Sequence, residues 1–204
     1  MKEALTAFVK NGGTLITTFM SGIVNESDNV HLGGYPGPLR ELAGVWVEEI
    51  DALAPEQTNT VAFSDGTKIS CNMLCDLMHL ETAESLAKYE ENFYAGMPAV
   101  AKNLYGQGVT YYIGTNMCDE GIAKVLDLAV QAAAVKPVID EATALEVTCR
   151  KTEDAEYYFI FNFTNEALPL PACFDGCSDM LTGAALSAQT MLKPYDSFLV
   201  CKKN

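Results

Sequence analysis

The order of elements at the start of the chain constrains the fold most. Leu5, Phe8 and Val9 recur at helical spacing, so Glu3 to Lys10 reads as an amphipathic helix. Asn11-Gly12-Gly13 closes it, because glycine takes the left-handed cap conformation without steric cost. Thr14 to Phe19 is rich in β-branched residues and reads as a buried strand. Helix, glycine cap and strand make the second half of a βαβ unit, and the parallel strand that should come first is not there. The expectation is a chain cut from a longer protein, or a piece of one to which Met1 was added.

Residues Ser21 to Gly44 are rich in turn formers. Gly33-Gly34-Tyr35-Pro36-Gly37-Pro38 predicts a stiff loop, since the glycines permit unusual backbone angles and the prolines fix theirs. Pro38 suits the first turn of a short helix, Leu39 to Ala43, closed by Gly44. Val45-Trp46-Val47 follows as a short strand with the sole tryptophan. From Glu41 to Glu91 there are eleven acidic residues and two lysines. Within that stretch Val61 to Phe63 and Thr67 to Met73 read as strands, while Ala83 to Tyr89 fits a strand or a helix. Pro98 to Asn103, a tight turn at Gly106-Gln107, and Val109 to Gly114 read as strand, turn and strand. Asp119 is a candidate cap for a helix from Gly121 to Val135, where Ile122, Val125, Leu126, Ala129 and Ala133 share a face.

Lys136-Pro137 breaks this pattern. No helix is predicted beyond it; Leu145 to Arg150, Glu156 to Thr164, Ala167 to Leu170 and Ser197 to Cys201 read as strands. Tyr157, Phe159, Phe161 and Phe163 would face one way and Tyr158 and Ile160 the other, so that strand is expected to lie centrally, with cover on both faces. The division is an α/β domain over 1–137 and a small antiparallel all-β sandwich over 138–204.

The net charge of −14 repels phosphate backbones and anionic lipid, so neither nucleic acid nor a membrane surface is expected as partner. No apolar run reaches the ~20 residues that span a bilayer, and the charged start lacks the apolar stretch of a signal peptide. Seven cysteines, an odd number scattered along the chain, do not form a secreted disulfide framework; a reducing cytoplasm is the expected compartment. Two glycosylation-acceptor matches, at Asn25 and Asn162, carry no weight there.

Chemistry-bearing motifs are sparse. His31 and His79 are the two histidines, and neither sits in a metal or nucleophile motif. Cys71-x-x-x-Cys75 and Cys173-x-x-x-Cys177 admit either zinc or reduced, partly buried thiols. Asp76 precedes His79 by three residues without a second histidine. No serine occupies a Gly-x-Ser-x-Gly elbow, and Gly106-Gln107-Gly108 lacks the Lys-Ser/Thr of a phosphate loop. Glycoside hydrolysis needs two opposed carboxylates, usually presented on a barrel of ~250 residues, which this length does not hold. No catalytic residue, metal ligand or cofactor site is predicted.

Three segments carry a family resemblance: Val9 to Leu15; Ser21 to Asp28; and Gly33 to Arg40, running on through Leu42-Ala43-Gly44-Val45 to Glu48-Glu49. With Phe93 to Val100, Gly106 to Gly114, Arg150 and Phe161-Asn162-Phe163-Thr164, they resemble the β-galactosidases of glycoside hydrolase family 42. The match lies with their trimerisation and C-terminal domains. That resemblance implies a catalytic (β/α)₈ barrel, then a flavodoxin-like α/β domain akin to glutamine amidotransferases, then a small antiparallel β-domain. The chain would begin part-way through the α/β domain, and the catalytic glutamates would lie before it. No cysteine here has the elbow and histidine partner of a glutaminase. The implied role is non-catalytic: a part of an enzyme that cleaves terminal β-galactose with retention and without cofactor. Its partner would be itself, as a trimer, with β-galactosides reached through the absent catalytic domain. The alternative is a carbohydrate-binding or active-site-completing module, in which Tyr35, Pro36, Arg40 and Trp46 contact sugar or a neighbouring subunit, although a tryptophan beside a strand is usually a core residue.

Overall fold

Tight turns rather than helices join most neighbouring strands. The computed structural model describes residues 1–203, which fall into two units, the first ending at Val135 and the second beginning at Lys136. In the first unit, α1 (Lys2–Lys10) leads through Asn11-Gly12-Gly13 to β1 (Thr14–Thr18). A 3-10 turn at Gly37–Leu39 and the short α2 (Arg40–Ala43) precede β2 (Val45–Ala52). Then come β3 (Asn59–Phe63), β4 (Lys68–Leu80), β5 (Glu84–Tyr89), β6 (Pro98–Tyr105), β7 (Gly108–Ile113) and β8 (Thr115–Met117). The helix α3 (Asp119–Ala132) follows, with Cys118 rather than Asp119 at its N-cap.

These eight strands form one mixed sheet in the order β1-β7-β6-β5-β3-β4-β2, with β8 against β4. The expected α/β flavodoxin-like domain is overturned here. A flavodoxin-like sheet is parallel, and each crossover needs a helix. Among the described residues the β1–β7 pairing is parallel and every other pairing of this sheet is antiparallel. The acidic stretch, where helices would have been required, folds instead as β2 to β5, and Ala83 to Tyr89 resolves as a strand. Two features account for the difference. The turns Ser64-Asp65-Gly66 and Gly106-Gln107 each fold a strand straight back on its predecessor. In addition, β7 is buried at all six positions, and a continuous apolar run of that kind is what a parallel core strand also shows.

The core of this unit gathers Val61, Phe63, Ile69, Leu77, Tyr89 and Tyr94 with Val125 and Ala129 of α3. A second cluster on the other side joins Ala43, Val45, Val47, Met78, Ala101 and Tyr112.

The second unit contains β9 (Glu146–Lys151), β10 (Ala155–Phe161), β11 (Leu168–Pro169), β12 (Met191–Leu192) and β13 (Ser197–Lys203). The three-stranded antiparallel sheet has the order β13-β10-β9, and β11 pairs with β12 separately. Tyr158 and Ile160 enter a core with Leu145, Leu170, Phe174, Leu186, Leu192 and Val200. The opposite series of β10 is half-buried and leads to the exposed Phe163, whose ring stacks on Phe161 at 5.7 Å.

Candidate functional site

The loop before α2 and the first residues of β2 come together with the far end of β4. Trp46 pairs in register with His79 across the β2–β4 ladder. Their rings stack at 4.7 Å between centroids, and His79 Nε2 lies 2.8 Å from Glu48 Oε2. On the same indole sits the Arg40 guanidinium, 5.6 Å from the ring centroid. Arg40 makes a two-pronged contact with Glu81, with Nε donating to Oε2 at 2.9 Å and Nη2 to Oε1, while Nη1 donates to the Gly33 carbonyl at 3.1 Å. The pair is mutually reinforcing: the hydrogen bond from Arg40 holds the Glu81 carboxyl below its ordinary range, and Glu81 raises the guanidinium.

Backbone geometry fixes this cluster. Gly44 ends α2 in the left-handed conformation, and its carbonyl accepts the N–H groups of Glu81, Thr82 and Ala83. That ties the Arg40 turn to the β4–β5 turn that carries Glu81. Tyr35 bridges Val47 through two backbone hydrogen bonds of 2.8 and 3.2 Å, and the Tyr35–Pro36 bond is cis. Gly34 has φ +88, and a Cβ there would lie 1.9 Å from Trp46 Nε1. Glycine is therefore required at position 34 for backbone and side-chain reasons at once.

The four residues singled out in the sequence, Tyr35, Pro36, Arg40 and Trp46, thus share one neighbourhood. Their partners Glu48, His79 and Glu81 were not legible as partners, because each contact spans more than thirty residues and leaves no local spacing. Arg40 is engaged by Glu81 and Gly33, and the Trp46 ring by His79 and Arg40, so neither is presented as an open anion site or sugar platform. Trp46 Nε1 is buried without a hydrogen-bond partner. A recess of about 300 Å³ beside the cluster is lined by Lys2, Gly37, Pro38, Arg40, Glu41, Glu81 and Thr82.

A second group of polar side chains lies inside the sheet. Asp76 is 1 % exposed; its Oδ2 accepts the Tyr112 hydroxyl at 2.7 Å, and its Oδ1 has no partner. Burial pushes its carboxyl up to about 7, against the opposing pull of the Tyr112 hydrogen bond. Beside it, the Tyr89 hydroxyl donates to Gly114 O at 2.9 Å, and Tyr94 donates to Asp51 Oδ2 at 2.8 Å. Cys71 and Cys75 are buried here, and Cys71 is held protonated by its hydrogen bond to Cys75 and by burial. The acidic residue inside the apolar run Leu74 to Met78 was the sequence signal for this group. His79 is an odd number of residues from Asp76 and pairs with Glu48 and Trp46 instead. Cys173 and Cys177 lie in the second unit, and among the described residues no three His, Cys, Asp or Glu side chains gather as metal ligands would. No helix among them is long and apolar enough to cross a membrane.

Comparison with known proteins places this arrangement. The family description "Beta-galactosidase trimerisation domain" matches residues 1–136, and "Beta-galactosidase C-terminal domain" matches residues 144–200. The chain is 44 % identical over 184 residues to the β-galactosidase LacA of Lactobacillus acidophilus, covering 90 % of this chain and 27 % of that protein. To BgaA of Planococcus sp. it is 38 % identical, covering 96 % and 30 %. The crystal structure of β-galactosidase from Bacillus circulans sp. alkalophilus superposes with a TM-score of 0.88 at 35 % identity, over 98 % of this chain and 30 % of that one. Gan42B, a β-galactosidase of the same numbered family from G. stearothermophilus, gives 0.84 at 33 % identity, over 100 % and 30 %. The chain therefore spans less than a third of the length of the relatives it matches.

Proposed function

This chain belongs to the family-42 β-galactosidases, as their trimerisation and C-terminal domain region, and from that premise we propose that it assembles subunits and carries no chemistry of its own. The observation that carries this reading is the pair of family matches, which account for 1–136 and 144–200 with an assembly domain and a C-terminal domain. In this reading the α1-to-α3 region, to about residue 137, mediates self-association into a trimer, and residues 138–204 form an accessory β-domain. The parent protein hydrolyses terminal non-reducing β-galactose with retention, in the cytoplasm and without cofactor, through catalytic carboxylates that lie outside these 204 residues.

The test is a paired measurement on the 204-residue chain. Sedimentation velocity should show concentration-dependent self-association, and a nitrophenyl β-galactoside should remain uncleaved. Turnover by the purified chain would sink the non-catalytic reading; a monomer at every concentration would sink the assembly reading.

A second reading is favoured by one observation, the buried Trp46 Nε1 without a partner. A buried donor left unpaired costs ~1–3 kcal/mol, and a shift of the Gly34 backbone that covers it, on contact with a neighbouring subunit or a sugar, would let an acceptor remove that cost. In this reading Tyr35, Pro36, Arg40 and Trp46 complete a neighbour's site. Galactose binding to the chain in calorimetry, lost in Trp46→Phe, would support it; the absence of any heat would remove it.

A further inference from the structure

The segment between β1 and the Tyr35–Pro36 bond is a built hairpin. Val24 and Val30 form an antiparallel bridge. Asn25 closes it: its N–H donates to Asn29 O at 2.9 Å, and its Oδ1 accepts the N–H groups of Ser27 and Asn29 at 2.9 and 3.1 Å. His31 N–H donates to Ile23 O at 2.8 Å. The base is clamped against the loop of the candidate site. A Cβ on Gly22 would lie 2.9 Å from Pro36 O, and one on Gly37 would lie 2.7 Å from His31. Met20 and Asp28 hold φ of 64° and 58°, a region uncommon for L residues other than Asn and Asp.

Beside the polar tip Glu26 to Asn29, this ordered hairpin shows several large apolar side chains to solvent. Met20 is 60 % exposed, Val30 57 % and Leu32 98 %, with Val24 at 43 %. Exposed apolar residues scattered singly need no explanation, but several on one pre-shaped projection form a contact surface awaiting cover. Between Met20 and Leu32 there is no lysine or arginine, while Glu26 and Asp28 sit near the tip, so a polyanion is repelled.

We propose that the hairpin 20–32 is the projecting half of the self-association contact, and that a second copy of this chain covers Val30 and Leu32. The proposal rests on the assembly reading above and deepens it by naming the surface. The family match described as a trimerisation domain includes the hairpin. A three-fold ring is built from head-to-tail contacts, in which one surface of each copy enters a different surface of the next. A hydrogen-bonded hairpin that carries exposed apolar side chains suits such a contact, and its preset shape lowers the entropy lost on docking.

The experiment compares the 204-residue chain with Leu32→Asp and, as a control, Leu104→Asp, which is 74 % exposed on β6. Circular dichroism confirms folding of each. Sedimentation velocity is expected to show self-association weakened at least about tenfold by Leu32→Asp, the size expected from removing one buried leucine contact, and unchanged by Leu104→Asp. As a readout free of any substitution, amide exchange at residues 23–31 of the wild type is expected to slow as protein concentration rises. A wild type that assembles, a Leu32→Asp that assembles equally, and concentration-independent exchange overturn the hairpin while leaving the assembly reading standing. A wild type that stays monomeric at every concentration overturns both. Loss of assembly in Leu104→Asp alone moves the contact to β6 and also overturns the proposal.

Discussion

Asp76→Asn isolates a cost built into the middle of the large sheet. Asp76 is 1 % exposed, and burial moves its carboxyl from 3.8 to about 7. A carboxyl with a raised folded-state pKa binds more protons folded than unfolded between those two values. Stability therefore falls as pH rises through that window and levels off above about 7. A shift of about 3 units corresponds to about 4 kcal/mol at pH 8. The Tyr112 hydroxyl donates to it, and Cys75, next to it in β4, adds to the upward shift. Asparagine keeps an oxygen for the Tyr112 hydroxyl and removes the charge, although its amide inherits the unpaired position of Oδ1. The absolute stability of the variant thus carries an offset, and the pH dependence carries the test. Urea unfolding followed by fluorescence of Trp46, the sole tryptophan and a residue of the first unit, reports on the unit that holds this sheet. Across pH 4 to 8 the variant should gain about 4 kcal/mol on the wild type, with most of the gain complete near pH 7. Two pH profiles that run parallel would refute the reasoning and would mean that Asp76 ionises as freely folded as unfolded.

Gly34→Ala adds a Cβ 1.9 Å from Trp46 Nε1 at a backbone φ of +88. It should displace the indole from His79, shift the tryptophan emission, and destabilise the first unit by ~1–3 kcal/mol from backbone strain alone. Asn162→Ala should act in the second unit. The Asn162 side-chain amide donates to Glu166 O, Leu192 O and Lys193 O at 2.7 to 3.0 Å, and its Oδ1 accepts from Thr164, so the loss should reach ~3 kcal/mol, read as early melting by circular dichroism with Trp46 emission unchanged.

Much of the local structure could be read from the chain, and the sheet topology could not. The helix Lys2–Lys10, its glycine cap and the strand Thr14–Thr18 follow from periodicity and turn chemistry, as does the hairpin of β6 and β7 around Gly106-Gln107. The sense of pairing is a tertiary property. Burial on both faces makes β7 a continuous apolar run, which has the same signature in a parallel sheet. Val45-Trp46-Val47 looked like a short strand because Glu48, Glu49 and Asp51 interrupt the apolar pattern; β2 runs on to Ala52 because β4 pairs with it across that stretch. The candidate site was legible in its loop, where glycine and proline leave a local signal. It was not legible in His79, which meets Trp46 through the β2–β4 ladder, or in Glu81, which meets Arg40 where the Gly44 carbonyl ties the end of α2 to the β4–β5 turn.

Charge gives the assembly reading a further test that no single side chain can supply. Each copy carries −14, so bringing copies together accumulates like charge, and that repulsion must be offset by apolar burial at the contact. Exposed charges are screened over ~30 Å at 0.01 M salt and ~8 Å at 0.15 M, whereas burial of Val30 and Leu32 is nearly indifferent to salt in that range. Self-association should therefore tighten as salt rises from about 0.01 to 0.15 M. A contact held by ion pairs between copies would behave in the opposite way and loosen. Light scattering at fixed protein concentration distinguishes the two. Weakening on addition of salt would locate the binding energy in cross-subunit ion pairs and would remove the argument for an apolar hairpin, even if the chain does assemble.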